Sequence, residues 1–228
     1  MKNEMNLSER ASKYLNSLTR DVKWSSDKDE TRAYLEGQNI SSYKGFLRYQ
    51  TLFSGYELTI KDDSGHSFSA SLFSQEQIRK NKSLEIEKAG DRYVEVCGYH
   101  KTAPFTFFIT DRGEICTLDD DDLPNILHSS FDKMLEEYAL RNEIHNWASN
   151  PYYFKVKNLE DLTITINSEF QKISECSDQY STWWKNDNLI AVKGVWLDRP
   201  EAYFHVYGKE RIQCDDLIER LKTKGILK

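Results

Sequence analysis

Four consecutive carboxylates, Asp119, Asp120, Asp121 and Asp122, end the stretch TAPFTFFITDRGEICTLDDDD. Such a run has the oxygen count for a hard cation. It lacks the alternate-position acids, mid-loop glycine and terminal glutamate of a calcium loop, so no metal is expected on it. Cys97 and His100, in CGYH, have the spacing of half a zinc site. A structural zinc site needs a second close pair, and the sequence supplies none. There is no G-x-S-x-G elbow and no glycine-rich phosphate loop, and His66, His100, His128, His145 and His205 are scattered outside any catalytic motif. Glu136 and Glu137 read as the polar side of an amphipathic helix. Trp183 and Trp184, near Tyr180, could form an aromatic recognition patch of the kind that anchors interfaces. The plainer alternative packs one indole inward and leaves the other partly exposed. Neither an enzyme nor a cofactor site is expected; of the two chemical features left, the acidic run is either a solvated loop or a partner surface, and the tryptophan pair suits a protein partner.

The balance of charge agrees. A formal net charge of −6 over 228 residues disfavours direct binding of nucleic acid, which wants a basic footprint, and suits a basic protein partner. Cys97, Cys116, Cys176 and Cys214 are far apart and are expected as reduced thiols. No run of about 18 apolar residues is present, and MKNEMNLSERASKYLNSL lacks the apolar core of a signal peptide. The expected location is cytoplasmic, with no membrane partner.

The elements that must position these residues follow from periodicity. LSERASKYLNSL carries an apolar stripe at Leu7, Ala11, Tyr14, Leu15 and Leu18 behind a Ser8 cap. A second helix runs through DKDETRAYLEG to Gly37, and a third ends at Gly55, before a strand in YELTI. HSFSASLF, DRYVEVCGYH, FTFFIT and EICTL alternate as strands. Tyr93, Glu95 and Cys97 share one face of theirs, opposite Val94, Val96 and Gly98. Phe105, Phe107 and Ile109 point inward, Thr106 and Thr110 outward, and Asp111-Arg112-Gly113 closes a hairpin. LHSSFDKMLEEYALRNEI is the clearest helix, with Phe131, Met134, Leu135, Tyr138 and Ala139 in one stripe and Ser129 or Ser130 as its cap. Asn150-Pro151 marks a boundary. Beyond it lie a strand in YYFKVK, an ambiguous LEDLTITINSEFQKI, a hairpin of LIAVKGVWL and AYFHVYG closed by DRPE, and a helix starting at Asp215 and Asp216 and ending with Lys222, Lys224 and Gly225.

The expectation is therefore an α+β fold: a mixed, largely antiparallel sheet with N-terminal helices and a covering helix over residues 1–147, and a small α+β appendage over 151–228, which might instead belong to the same domain. Three segments taken in order, YKGFLRYQTLFSGYELTI, VEVCGYHKTAPFTFFITDRGEICTLDD and ILHSSFDKMLEEYAL, resemble the SUKH superfamily across about residues 40–145. The landmarks are Tyr49, Gln50, Ser54 and Gly55, then Gly98, Gly113 and Glu114, then Ser129, Ser130 and Phe131. The resemblance implies helices packed on a mixed sheet and a bacterial immunity role: binding and neutralising a cognate protein toxin, often a nuclease. An intracellular scaffold or regulator on the same fold is the alternative. With that role, Glu114, Asp119, Asp120, Asp121, Asp122, Trp183 and Trp184 are the expected partner-binding residues. The oligomeric state and the identity of the toxin are left open.

Overall fold

The structure, a computed structural model, describes residues 5–38, 40, 42–58 and 66–228. The chain is α+β, as expected, and builds two antiparallel sheets around one shared helix. Three helices come first: α1 (Glu9–Ser17), α2 (Lys28–Gly37) and α3 (Lys44–Phe53). Ser8 caps α1 by accepting from the Ala11 amide, and Asp27 caps α2 through the Asp29 and Glu30 amides. After α3 the backbone turns at Gly55, whose φ of +91° is one that side chains disfavour.

Sheet A then contains β1 (Tyr56–Leu58), β2 (His66–Ala70), β3 (Glu87–Ala89), β4 (Arg92–His100), β5 (Thr106–Thr110), β6 (Ile115–Leu118) and β7 (Pro124–His128). A short helix, α4 (Gln75–Arg79), interrupts the series after β2. The strand order is β1-β2-β4-β5-β6-β7, with β3 pairing β4, and each of these pairings is antiparallel. Residues 59 and 60 of the strand expected in YELTI lie outside the described residues. β7 went unforeseen in the sequence, so the four aspartates sit in a hairpin loop between β6 and β7 rather than after the last strand.

Register along β4 departs from simple alternation at one point. A bulge between Val96 and Gly98 places Cys97 and Gly98 both opposite Phe107, so Gly98 joins the core face rather than the Val96 face. A Cβ at Gly98 would lie 2.6 Å from the Phe68 ring, which explains why glycine stands there. Two further expectations change. Thr110 is buried, its hydroxyl holding the β5–β6 turn, and Phe105 lies before β5 and outside the main core that Phe107 and Phe131 share.

That core lies on one face of sheet A, under α1, α2, α3 and α5 (Phe131–Glu143). The SUKH-like landmarks are packing and turn residues within it. The Tyr49 ring meets Phe131 edge-on at 4.7 Å, Gln50 bonds the Phe73 carbonyl and the Leu72 amide, and Ser130 caps α5.

The C-terminal residues form their own sheet. Sheet B comprises β8 (Ala148–Ser149), β9 (Phe154–Lys155), β10 (Gln171–Lys172), β11 (Thr182–Lys185), β12 (Leu189–Val195) and β13 (Ala202–Gly208). Helices α6 (Leu159–Asn167) and α7 (Arg211–Thr223) cover one face with Leu162, Ile166, Cys214, Leu217, Ile218 and Leu221. α7 begins four residues ahead of the expected Asp215 and ends at Gly225, φ +71°. The other face of sheet B packs on Leu140 of α5 and on Ile144, which caps that helix. α5 thus lies between the two sheets, and the C-terminal unit shares it with the first. Among the described residues no helix is long and apolar enough to cross a membrane.

Candidate functional site

Two places collect functional groups: a buried cluster where α5 meets sheet B, and the face of sheet A that the helices leave uncovered.

The buried cluster corrects the reading of Glu136 and Glu137 as solvated. Both are buried because the polar side of α5 faces other parts of the chain rather than water. Glu136 receives the Ser8 amide and hydroxyl, each at 2.6 Å, and so fixes the start of α1. Glu137 accepts from Arg141 Nε at 2.9 Å and from Trp183 Nε1 at 3.1 Å, and His128 Nδ1 lies 4.0 Å away. Arg141 in turn bonds the Tyr207 hydroxyl and lies over the Trp183 ring. Burial works to raise the Glu137 pKa, but Arg141 and His128, with the hydrogen bonds from Arg141 and Trp183, hold it below the ordinary value. The adjoining cavity, lined by His128, Glu137, Arg141, Ser181 and Tyr203 among others, holds about 60 Å³, too little for a metabolite. Both Glu137 oxygens are occupied by donors within the chain, so the cluster joins the two units rather than holding a reactant. Nothing but the i, i+4 spacing of Glu137 and Arg141 signals it in the sequence.

Trp183 and Trp184 also belong to cores, at 0% and 2% exposure. As neighbours on β11 they point to opposite faces of sheet B, Trp183 toward α5 and Trp184 toward α6 and α7. Trp184 Nε1 donates to Asn167 Oδ1 at 2.8 Å. They cannot form a recognition patch, and the expectation of one exposed indole also fails.

The acidic residues divide. Glu114 is half-buried at the β5–β6 turn, paired with Arg92 at 2.9 Å and accepting from the Thr110 hydroxyl, so its carboxylate is occupied. β6 separates it from the aspartates by its four residues, roughly 13 Å. Asp119 organises the β6–β7 loop, its Oδ1 accepting from the Asp121 and Leu123 amides, and Asp122 takes a φ of +56° to close it. Asp120, Asp121 and Asp122 are exposed. The local turn therefore holds three carboxylates out to solvent at one end of sheet A.

Sequence reasoning missed the surface beside them. On the face of sheet A away from the main core, Val96 pairs with Phe108 and Tyr99 with Thr106. Val96 is 49% exposed, Tyr99 59%, Leu123 47%, and Trp24, beside Ser69 and Ser71 at the far edge, 40%. One corner folds back: Gly90 lies against Leu123 and Pro124, and Ala89, Val94 and Cys116 form a small second core beneath. The face spans five strand spacings, about 24 Å, and β4 is about 30 Å long. The other strands are only three to five residues long, so the face covers roughly 500 Å², less than the roughly 800 Å² that each partner contributes to a standard protein interface and within the range of smaller, transient ones. Exposed Glu57, Glu87 and Asp120–Asp122 border it.

Comparison with protein-family models, curated proteins and solved structures returned no match. The likeness to the SUKH superfamily therefore rests on the residues quoted for it.

Proposed function

We propose that this chain is a cytoplasmic immunity protein that binds a protein toxin and neutralises it by covering the toxin's working surface, making and breaking no bonds itself. The observation that carries the reading is the uncovered face of sheet A, where Val96 and Tyr99 stand exposed on a sheet backed by helices, with Leu123 and Trp24 exposed on loops at its edges. Exposed apolar side chains gathered on one face favour a macromolecular partner. Carboxylates at the border favour a basic one, through faster encounter and rejection of acidic competitors. A nuclease, whose cleft holds phosphate, has that character, and the SUKH resemblance points to the same class of partner. Of the expected contact residues, Asp120, Asp121 and Asp122 remain in this reading; Glu114, Asp119, Trp183 and Trp184 serve the fold.

Co-expression with the product of the neighbouring open reading frame tests it. Rescue from that product's lethality and its capture by the wild-type chain are expected. Tyr99→Lys with Val96→Lys should abolish both while leaving the unfolding midpoint in place. Capture that survives the double variant would move the interface elsewhere, and an absence of rescue and capture by the wild type would refute the reading.

A further inference from the structure

At the β1–β2 end of the open face, the segment after α1 pairs with the start of β1 through Arg20 and Tyr56, and a cleft of about 540 Å³ lies beside it. Trp24 forms one wall; Tyr56, Glu57 and Ser69 come from the sheet, Ser71 from just beyond β2, and Asp21 from the turn. The turn is held firmly. The Asp21 amide donates to the Gly55 carbonyl at 2.7 Å, the Asp21 carboxylate accepts from the Lys23 amide, and the Ser71 hydroxyl reaches the Trp24 carbonyl. The indole is therefore presented by a fixed backbone.

The lining has one sign of charge. Asp21 and Glu57 are its ionisable acids, both exposed, and among the described residues neither takes part in an ion pair. Arg20, in the same turn, is turned aside, its Nε donating to the Ser54 carbonyl at 2.8 Å and its guanidinium resting over the Tyr56 ring at 5.2 Å. That contact already shows a guanidinium on an aromatic face at the cleft's edge. An open indole beside two carboxylates and two serine hydroxyls matches the chemistry of one side chain in particular. A guanidinium is planar enough to stack on the ring and forked enough to pair with carboxylates, whereas an ammonium does only part of this.

We propose that the cleft receives an arginine side chain of the partner, its guanidinium stacked on Trp24 and paired with Asp21 and Glu57. This rests on the reading of the open face as a protein-binding surface and names the anchor within it.

The test uses the tripeptide acetyl-Gly-Arg-Gly-amide, titrated into the full ¹⁵N-labelled chain, with Trp24→Phe assigning the indole N–H resonance. The Trp24 indole signal and the Gly55 and Ser69 amides should move with the arginine peptide. They should move less with its lysine counterpart and not with the citrulline one, which keeps the shape and loses the charge. Asp21→Asn and Glu57→Gln should each weaken the effect about two- to five-fold, the range of an exposed charge contact. No movement with the arginine peptide, or equal movement with citrulline, overturns the proposal. The partner from the co-expression experiment separates the two readings. If it is captured equally by the wild type and by the Asp21→Asn/Glu57→Gln variant, the cleft is not the anchor and the open face still stands. If lysine on Val96 and Tyr99 leaves capture intact, the face itself fails.

Discussion

Replacing Glu95 by glutamine should make the protein's stability less sensitive to pH between about 4.5 and 7. Glu95 lies on β4 with Tyr93 and Cys97, on the face under the helices, and is half-buried. Its Oε2 is shut off from solvent and, among the described residues, has no hydrogen-bond partner. Burial, followed by the nearby charges of Glu85 and Glu87, pushes its pKa from 4.5 up to about 7. The folded state thus holds a proton that the unfolded chain releases, so stability is fullest below pH 4.5 and declines as pH rises through 7. An unscreened shift of that size corresponds to about 3.4 kcal/mol. Because solvent reaches part of the side chain, about 1–2 kcal/mol is the expected effect. His205 titrates across an overlapping window in the opposite sense. Burial lowers its pKa to about 4, so its contribution is lost as pH falls below 6.5. Urea unfolding of wild type and Glu95→Gln at a series of pH values from 4.5 to 8 removes that term, because His205 is common to both. The difference in unfolding free energy between the two proteins should grow in favour of the variant by about 1–2 kcal/mol as pH rises. Parallel profiles would show that Glu95 ionises at an ordinary pH, its carboxylate stabilised by water or by a hydrogen-bond donor.

Glu137→Ala leaves the Arg141 guanidinium buried without its carboxylate, and urea unfolding should show a loss of roughly 3–5 kcal/mol; a loss below about 1 kcal/mol would mean that water enters the cluster freely. Gly98→Ala drives a methyl group to 2.6 Å from both the Phe68 ring and the Ser67 carbonyl, and should cost about 1–3 kcal/mol by the same measurement unless the bulge relaxes. Asp120→Asn with Asp121→Asn should leave stability within about 0.5 kcal/mol, since both side chains are exposed, and should slow association with a basic toxin in stopped-flow at low salt; an unchanged association rate would remove the loop from the encounter.

What the sequence disclosed was the local geometry. The Ser8 and Ser130 caps, the Gly55 stop, the Asp111–Gly113 turn and the β12–β13 hairpin all follow from residues that satisfy backbone groups nearby, whereas Gly37, expected as a stop, is the last residue of α2 and Gln38 caps it. It misled wherever one segment's environment was supplied by another distant in sequence. Glu136 and Glu137 look solvated on a helical wheel, because a wheel cannot show that Ser8 and Trp183 will close over them. The tryptophans look like a patch because adjacent residues in sequence suggest adjacency in space, whereas a strand sends them to opposite faces. β7 was obscured by Pro124 and by the helix signal that begins at the serines. The open face of sheet A had no local signature at all. Val96, Tyr99 and Trp24 are ordinary residues in their own segments; the β4 bulge puts Val96 and Tyr99 on one face, and the turn after α1 sets Trp24 at the edge of the sheet.

The two-sided burial of α5 accounts for why that surface stays open. A helix with an apolar stripe and a charged back would ordinarily turn the charges to water. Here the charges neutralise each other at i, i+4, and Trp183 and Tyr207 bond to them, so the charged back can be covered at tolerable cost. Such a buried pair adds little net stability against an apolar replacement, but it penalises every arrangement in which either partner is misplaced. Sheet B can therefore sit on α5 in the one register that brings Trp183 and Tyr207 to Glu137 and Arg141, and sliding by a residue would strand a charge. The mass of the C-terminal unit is thereby held on the helix side of sheet A, where Thr117 and Asn125 also meet the β12–β13 hairpin. The opposite face keeps Val96 and Tyr99 exposed, because the polar contacts that fix the second unit here lie behind it.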